Sequence, residues 1–194
     1  MPINFELINE HDQIIYRIQE QEYFCERNCI PQGFRTESSM VKTTGFQVLR
    51  FSREARCIMN CCLPCCCYPL PFSRERLTIS SVTGVVYGTV QHDWSAWRSR
   101  FSVLNEVGSV VLTIEGPGCN FGFFGELNFK IINLAGVEIG SIIKHWNGFF
   151  LEMLADFDDF TINFPRDLDI SVKATLIGAV KLIVCETVQR IFNV

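Results

Sequence analysis

The sequence has little of what directs a chain to secretion, to nucleic acid or to catalysis. Its formal net charge is only −4 at pH 7, so the chain as a whole is not attracted electrostatically to DNA or to anionic lipid. Its first residues, MPINFELINEHDQ, are polar and acidic where a signal peptide has a basic start and an apolar run. It contains no Gly-rich phosphate loop, nucleophile elbow or HExxH motif. We therefore expect a cytosolic or cytosol-facing protein that is not an enzyme.

Apolar residues, by contrast, are plentiful. Hydrophobic residues make up 48% of the 194 positions, and seventeen of the residues are Phe. A chain of this length and composition can bury a sizeable core. The sequence therefore predicts one folded domain over residues 1–194.

Five stretches alternate apolar and polar residues on both sides of a short turn, which is the pattern of a β-hairpin. Three of these stretches, which begin at Phe5, Leu77 and Phe129, are related to one another. The second and third repeat at a spacing of 52 residues, with Gly84 matching Gly136 and Trp94 matching Trp146. A sixth hairpin is predicted over residues 160–174. The turns are predicted at Asp12, Gly45, Gly84, Gly108, Gly136 and around Pro165 to Asp167.

Six sequential hairpins predict a mainly β fold with twelve antiparallel strands. Closure of such a sheet into a barrel removes its exposed edges, and the wide interior then has to be filled. Residues 173–192 read as a helix that fills it. The alternative is a membrane span, but Lys181, Glu186 and Arg190 interrupt the apolar run that a span needs.

Six of the ten cysteines lie in residues 57–71, with three prolines and no histidine or acid among them. A zinc site would need a second pair of ligands, which Cys25 and Cys29 could supply. Disulfides do not suit a reducing compartment, and packing of the thiols as small apolar groups is a further alternative. We interpret the segment as an acylation loop, because several clustered chains make a lasting membrane anchor. Palmitate is predicted on Cys61, Cys62, Cys65, Cys66 and Cys67.

Residues 151–169 contain six acids and one base. As a twelve-residue calcium loop starting at Asp156 the segment fits poorly, because Phe160 and Phe164 occupy ligand positions and Thr161 replaces the turn glycine. A solvated turn cluster is an equal alternative to a weak calcium site. The candidate Ca²⁺ ligands are Asp156, Asp158, Asp159 and Asp167.

Three motifs together resemble the phospholipid scramblase family: CCLPCCC, SIIKHWNGF and FDDFTINFPRDLDISVKATLIGAVKLI. The resemblance implies a fold similar to the Tubby C-terminal domain, which is a twelve-stranded barrel around a C-terminal helix. It also implies a calcium-dependent, palmitoylated protein. Because the first strand is predicted near residue 4, we do not expect the long proline-rich N-terminal arm of the best-known members, nor recruitment of partners through PxxP contacts.

The function implied by the resemblance is bidirectional, non-selective movement of phospholipids between the leaflets of the plasma membrane. The expected location is the cytoplasmic face of that membrane, or the nucleus when the cysteines are not acylated. The alternative is a palmitoyl-anchored module that binds lipid, signalling proteins or DNA without moving lipid. A filled barrel offers no evident polar path for head groups, and this favours the alternative.

Overall fold

In a computed structural model, the chain is mainly β with one long C-terminal helix. The structure describes residues 5–21, 35–54, 75–93, 95, 98–118, 126–145 and 159–192. The elements are β1 (Phe5–Ile8), β2 (Ile14–Gln21), β3 (Arg35–Lys42), β4 (Gln47–Glu54), β5 (Arg76–Ser81), β6 (Val86–Asp93), β7 (Arg98–Asn105), β8 (Val110–Gly118), β9 (Leu127–Asn133), β10 (Glu138–Lys144), β11 (Phe160–Asn163) and α1 (Ile170–Phe192).

The strands form one antiparallel sheet, in which the hydrogen-bonded order follows the chain from β1 to β11. The mainly β prediction is therefore confirmed, and eleven strands are found among the described residues. Closure of the sheet and a twelfth strand stay predictions, because the described order begins at β1 and ends at β11.

The predicted sixth hairpin is wrong. The chain turns after β11, at Pro165 to Asp167, but a helix and not a strand follows. Asp169 explains the difference, because its Oδ1 accepts a hydrogen bond from the backbone N–H of Ser171 at 2.8 Å, which is the contact of a helix N-cap. The helix itself is confirmed, and it begins at Ile170, three residues before the predicted start.

The five other predicted turns are confirmed, and all have one construction. In the turn between β7 and β8, the N–H of Asn105 donates to the Ser109 carbonyl at 2.9 Å, and the N–H of Gly108 donates to the Asn105 carbonyl at 3.0 Å. The other four turns repeat both bonds. This is a three-residue hairpin loop whose third residue is left-handed, a conformation that favours Gly or Asp. The residues with positive φ are Asp12 (57°), Gly45 (88°), Gly84 (89°), Gly108 (86°) and Gly136 (78°).

The chain divides into two compact units, the first over residues 1–87 and the second over residues 88–194. From β2 to β10, each strand buries residues of one face, as the two-residue period of a strand requires, whereas β11 alternates between partly exposed and exposed residues. In the first unit the core contains Ile18, Met40, Leu49, Phe51, Leu77 and Ile79. In the second unit the strands contribute Val90, Phe101, Val103, Leu112, Ile114, Phe129, Ile131 and Ile142.

Helix α1 belongs to the core of the second unit. Between Ala174 and Val184, nine of the eleven residues are buried and none is exposed, so the helix is covered on all sides, as its apolar sequence predicts. Leu176 has no exposed surface, and Ile183 has 1%. The prediction of a buried helix is confirmed for residues 174–184. Within the described parts of the chain, no helix meets the length and hydropathy that a membrane crossing demands.

The helix packs closely against β6 at Gly88. A Cβ atom at this position would lie 2.5 Å from the Leu104 carbonyl oxygen and 2.5 Å from Oγ1 of Thr175 on the helix. Oγ1 is held in place, since it donates to the Ser171 carbonyl at 2.7 Å. Only a glycine fits between this strand neighbour and the helix.

Candidate functional site

The predicted acylation loop lies outside the described residues, but the chain on each side of it is held together. Glu54, at the end of β4, and Arg76, at the start of β5, are partners in the sheet register. Diagonally across this pair, a guanidinium nitrogen of Arg53 on β4 donates to both carboxylate oxygens of Glu75, which directly precedes β5, at 2.8 and 2.9 Å. Their side chains are only 13% and 23% exposed. The two ends of residues 55–74 therefore meet at one edge of the sheet.

Of the four candidate Ca²⁺ ligands, the structure describes Asp159 and Asp167, and these lie at opposite ends of β11. The carbonyl of Asp159, just before β11, accepts a hydrogen bond from the N–H of His145 at 2.9 Å. Asp167 is exposed in the turn after β11. The four residues of β11 keep the two aspartates about 13 Å apart along the strand, so they do not share a site as they stand. Asp156 and Asp158 lie outside the described residues.

Next to Asp159, the side chain of His145 connects two strand ends. Its Nδ1 lies 3.3 Å from Oε1 of Glu126, and its Nε2 lies 2.8 Å from Oγ1 of Thr161. Both ring nitrogens therefore have partners, and the ring is fixed in one orientation. The groups are open to water, with side-chain exposures of 42% for His145 and 59% for Glu126.

Glu126 was not predicted, although the sequence contained a signal for it. The hairpin with its turn at Gly136 pairs Leu127 with Lys144, which brings Glu126 opposite His145. We call Glu126, His145, Asp159 and Thr161 the strand-end cluster. Its oxygen atoms suit a hard cation such as Ca²⁺. Within the residues that the structure describes, no group of three His, Cys, Asp or Glu side chains is arranged to hold a metal ion.

The interior of the second unit contains polar groups as well as apolar ones. His92 is 4% exposed and stacks on Phe101, with ring centroids 4.7 Å apart and planes at 22°. Lys144 and Lys181 are 5% and 4% exposed, and each has an interaction partner.

His92 and His145 lie 53 residues apart, so they do not occupy equivalent positions in the repeat. The spacing of 52 residues that relates Gly88 to Gly140 relates His92 to Lys144 and Asp93 to His145. The first pair points into the interior and is buried, whereas Asp93 and His145 are partly exposed. The repeat therefore places a buried titratable side chain near the end of each of two strands.

Charged side chains follow one another across the opposite, outward face. The sheet register runs from Asp93 to Arg100, then to Glu115 and Lys130. The Nε of Arg100 lies 3.8 Å from Glu115, and Nζ of Lys130 lies 2.9 Å from Glu138. Opposite charges that face each other on adjacent strands stabilise the sheet modestly. This face is suited to water.

Comparison with known proteins identifies the family of the chain. The family model named Scramblase matches residues 3–187. The chain belongs to the scramblase family. Among its relatives, human phospholipid scramblase 2 is 34% identical over 180 residues, which are 92% of this chain and 58% of that protein. Human phospholipid scramblase 4 is 33% identical over 92% of this chain and 53% of its own length.

Human phospholipid scramblase 1 is also 33% identical, over 92% of this chain and 54% of its own length. This scramblase-family chain thus spans about half the length of the curated relatives it matches. No solved structure gives a significant match to it. The family resemblance seen in the sequence motifs is confirmed.

Proposed function

We propose that this chain moves phospholipids between the two leaflets of a membrane, in both directions and without selecting a head group. The observation that carries the proposal is the scramblase-family match over residues 3–187. Relatives named phospholipid scramblases share 33–34% identity with 92% of the chain. In this proposal the partners are membrane phospholipids, and the chain is a lipid translocator and not an enzyme.

Calcium dependence is the second part of the proposal. Asp159 lies in the strand-end cluster beside Glu126 and His145, and Asp156 and Asp158 come within three residues of it in sequence. Carboxylate oxygens are the ligands that Ca²⁺ prefers, and Asp156 and Asp158 would have to add theirs, because the described residues of the strand-end cluster do not by themselves form a group of three such ligands. The exposure of Glu126 and Asp159 favours weak binding. Asp167 lies in the turn after β11, at the other end of this strand. It would therefore need further ligands of its own to bind Ca²⁺.

Palmitate is the proposed membrane anchor. Cys61, Cys62, Cys65, Cys66 and Cys67 fall in a loop whose two ends are joined by the ion pair between Arg53 and Glu75. Several acyl chains on one loop give stable attachment where one chain does not. The proposed location is the cytoplasmic face of the plasma membrane, and the nucleus when the loop is not acylated.

A second candidate function is a palmitoyl-anchored module that binds lipid, signalling proteins or DNA without moving lipid. It is favoured by one observation, the coverage of α1 on all sides between Ala174 and Val184. A tightly filled interior leaves no water-filled route for a charged head group. In the translocator, lipid would have to cross beside the protein or after a rearrangement.

Reconstitution into vesicles that contain a fluorescent phospholipid separates the two functions. The translocator gives calcium-stimulated exposure of inner-leaflet lipid to a membrane-impermeant quencher, with a rate proportional to protein. A variant with Asp156, Asp158 and Asp159 changed to Asn should lose the calcium response. Vesicle binding without any lipid exchange, at every calcium concentration up to the millimolar range, would refute the translocator and support the binding module.

The anchor is tested separately in cells. Changing the five cysteines to Ala should move the protein from the membrane fraction to the cytosol. A matched control changes Cys25 and Cys29, which lie outside the loop, and should keep the membrane fraction. An unchanged membrane fraction in the five-cysteine variant would contradict palmitoylation as the anchor.

A further inference from the structure

The exposed large apolar side chains of the described residues occupy one kind of position in the fold. Every one of them lies in or beside a hairpin turn, or at the first residue of α1. In the second unit these residues, which we call the tip residues, are Val107 (80% exposed), Val110 (40%), Leu134 (76%), Val137 (56%) and Ile170 (80%).

Topology brings the tip residues to one end of the second unit. Consecutive antiparallel strands place the β7–β8 and β9–β10 turns at the same end of the sheet. Strand β11 runs back toward that end beside β10, with Asn163 paired to Ser141, so Ile170 begins the helix there too. The two turns are separated by two strand spacings, about 10 Å. The first unit by itself repeats the arrangement with Ile8, Phe46, Val48, Val82, Val85 and Val86.

The fold does not require apolar residues at these positions. Leu134 occupies the first place of its turn, where the equivalent turn between β7 and β8 has Glu106. Val137 occupies the place that Ser109 fills, with the same backbone hydrogen bond of 2.9 Å. Because polar residues serve equally well in the same turn geometry, the apolar ones need another reason. Apolar side chains grouped on a surface mark a contact with another molecule or a membrane.

The turns hold these side chains rigidly. Oδ1 of Asn133 accepts hydrogen bonds from the N–H groups of Ala135 and Val137, at 3.0 and 2.9 Å, and Asn105 does the same in its own turn. A rigid turn loses little conformational entropy when it binds, so more of the burial energy appears as affinity.

Separate tips with little net charge fit a phospholipid surface better than a second protein. A stable protein interface needs a continuous patch of roughly 800 Å² per partner, whereas tips about 10 Å apart can enter a fluid interface independently. Glu138 is paired with Lys130 at 2.9 Å, and near Ile170 the bases Arg166 and Lys173 balance Asp167 and Asp169. No basic surplus is available for anionic lipid.

We propose that the hairpin-turn end of the second unit docks on a zwitterionic phospholipid surface by inserting Val107, Leu134 and Ile170. The choice of a phospholipid surface as the occupant rests on the proposed function. The docking itself does not depend on calcium, on lipid transfer or on acylation. The tips supply apolar contact, and the charged outward face of the strands stays in water.

The test uses the full chain produced in bacteria, which carries no palmitate, and flotation with phosphatidylcholine vesicles. Leu134→Ser and Val107→Ser should each weaken binding by about tenfold, because each removes one inserted apolar side chain. Glu106→Gln, in the same turn as Val107, is the matched control and should bind like the unchanged protein. Ala135→Leu adds an apolar group to an exposed tip position and should strengthen binding. Added salt should leave all of these affinities unchanged.

The outcomes distinguish this proposal from the proposed function. Weaker vesicle binding by both serine variants supports docking even when no lipid exchange is seen. Serine variants that bind like the unchanged protein overturn docking, whatever the rate of lipid exchange. Failure of the unchanged protein to bind phosphatidylcholine vesicles overturns it as well. So does conversion of a dimer to a monomer by Leu134→Ser, measured by light scattering, with vesicle binding unaffected, because the occupant would then be a second copy.

Discussion

Gly88→Ala is the most direct probe of the packing between α1 and the sheet. The added methyl group would meet the Leu104 carbonyl oxygen and Oγ1 of Thr175, each at 2.5 Å. The first atom belongs to the backbone of the neighbouring strand, and the second is fixed by its hydrogen bond to Ser171. Strand and helix must therefore separate locally.

The expected loss follows from two opposing effects. Overpacking of a core costs about 1–3 kcal/mol, and contacts on both sides of the methyl group place this site near the upper limit. Replacing Gly with Ala restricts the unfolded chain and returns about 0.4–1 kcal/mol. We therefore expect the free energy of unfolding to fall by about 2 kcal/mol, measured by urea denaturation with an unchanged slope.

A double-mutant cycle with Thr175→Ala assigns part of this loss to the helix. Thr175→Ala removes both helix atoms near the new methyl group, Oγ1 at 2.5 Å and Cγ2 at 3.2 Å, but leaves the Leu104 carbonyl. The coupling energy should be about 1 kcal/mol in favour of the double variant. A stability within about 0.3 kcal/mol of the unchanged protein for Gly88→Ala, or a coupling energy of zero, would refute the close approach of helix and strand.

Three further predictions concern turns, the helix start and the core. Gly108→Val should lower the free energy of unfolding by more than about 1 kcal/mol, because φ at this position is positive. Gly108→Asn should lower it less, since Asp12 adopts a positive φ in the equivalent turn. Equal losses of the two variants in thermal unfolding would contradict this. Hydrogen bonds from the Ser171 hydroxyl and N–H lower the pKa of Asp169, so Asp169→Ala should lower the melting temperature near pH 7. That difference should shrink as the pH falls below about 3.8 through the lowered pKa, and a pH-independent difference would contradict it. Leu176→Asp should unfold the domain, because it lowers the free energy of unfolding by more than about 3 kcal/mol. Truncation after Ser171 should give insoluble protein. A folded, monomeric truncation product would contradict the core role of α1.

The turns could be predicted because their cause is local. The third residue of such a hairpin loop is left-handed, a conformation that favours Gly or Asp. Turns such as those at Gly45 and Gly136 can therefore be recognised from the neighbouring residues alone. The sixth turn is present at Pro165 to Asp167, but the hairpin predicted around it is wrong. Alternation in residues 160–174 was read as two strands, but the Asp169 cap, also a local signal, starts a helix.

The strand-end cluster could be predicted only in part, because it depends on pairing between distant residues. Asp159 was found as an acid in an acidic segment. Glu126 becomes its neighbour only through the register of β9 with β10 and the hydrogen bond between His145 and Asp159. A shift of one residue in that register would reverse which face each side chain occupies, so spacing alone could not identify the cluster.

Helix α1 follows all eleven described strands in the chain, and this order has a consequence for synthesis. Strands of the second unit leave the ribosome before the helix, which packs against β7 and next to Gly88 of β6. At about 5–20 residues per second, the nascent chain keeps an open apolar face for the seconds needed to complete residues 170–192. During that interval the unfinished protein is exposed to aggregation and to chaperone binding. A premature stop at any codon from residue 170 to residue 180, in the first half of α1, would make this transient state permanent, and the product would be removed by quality control although the hairpins had formed.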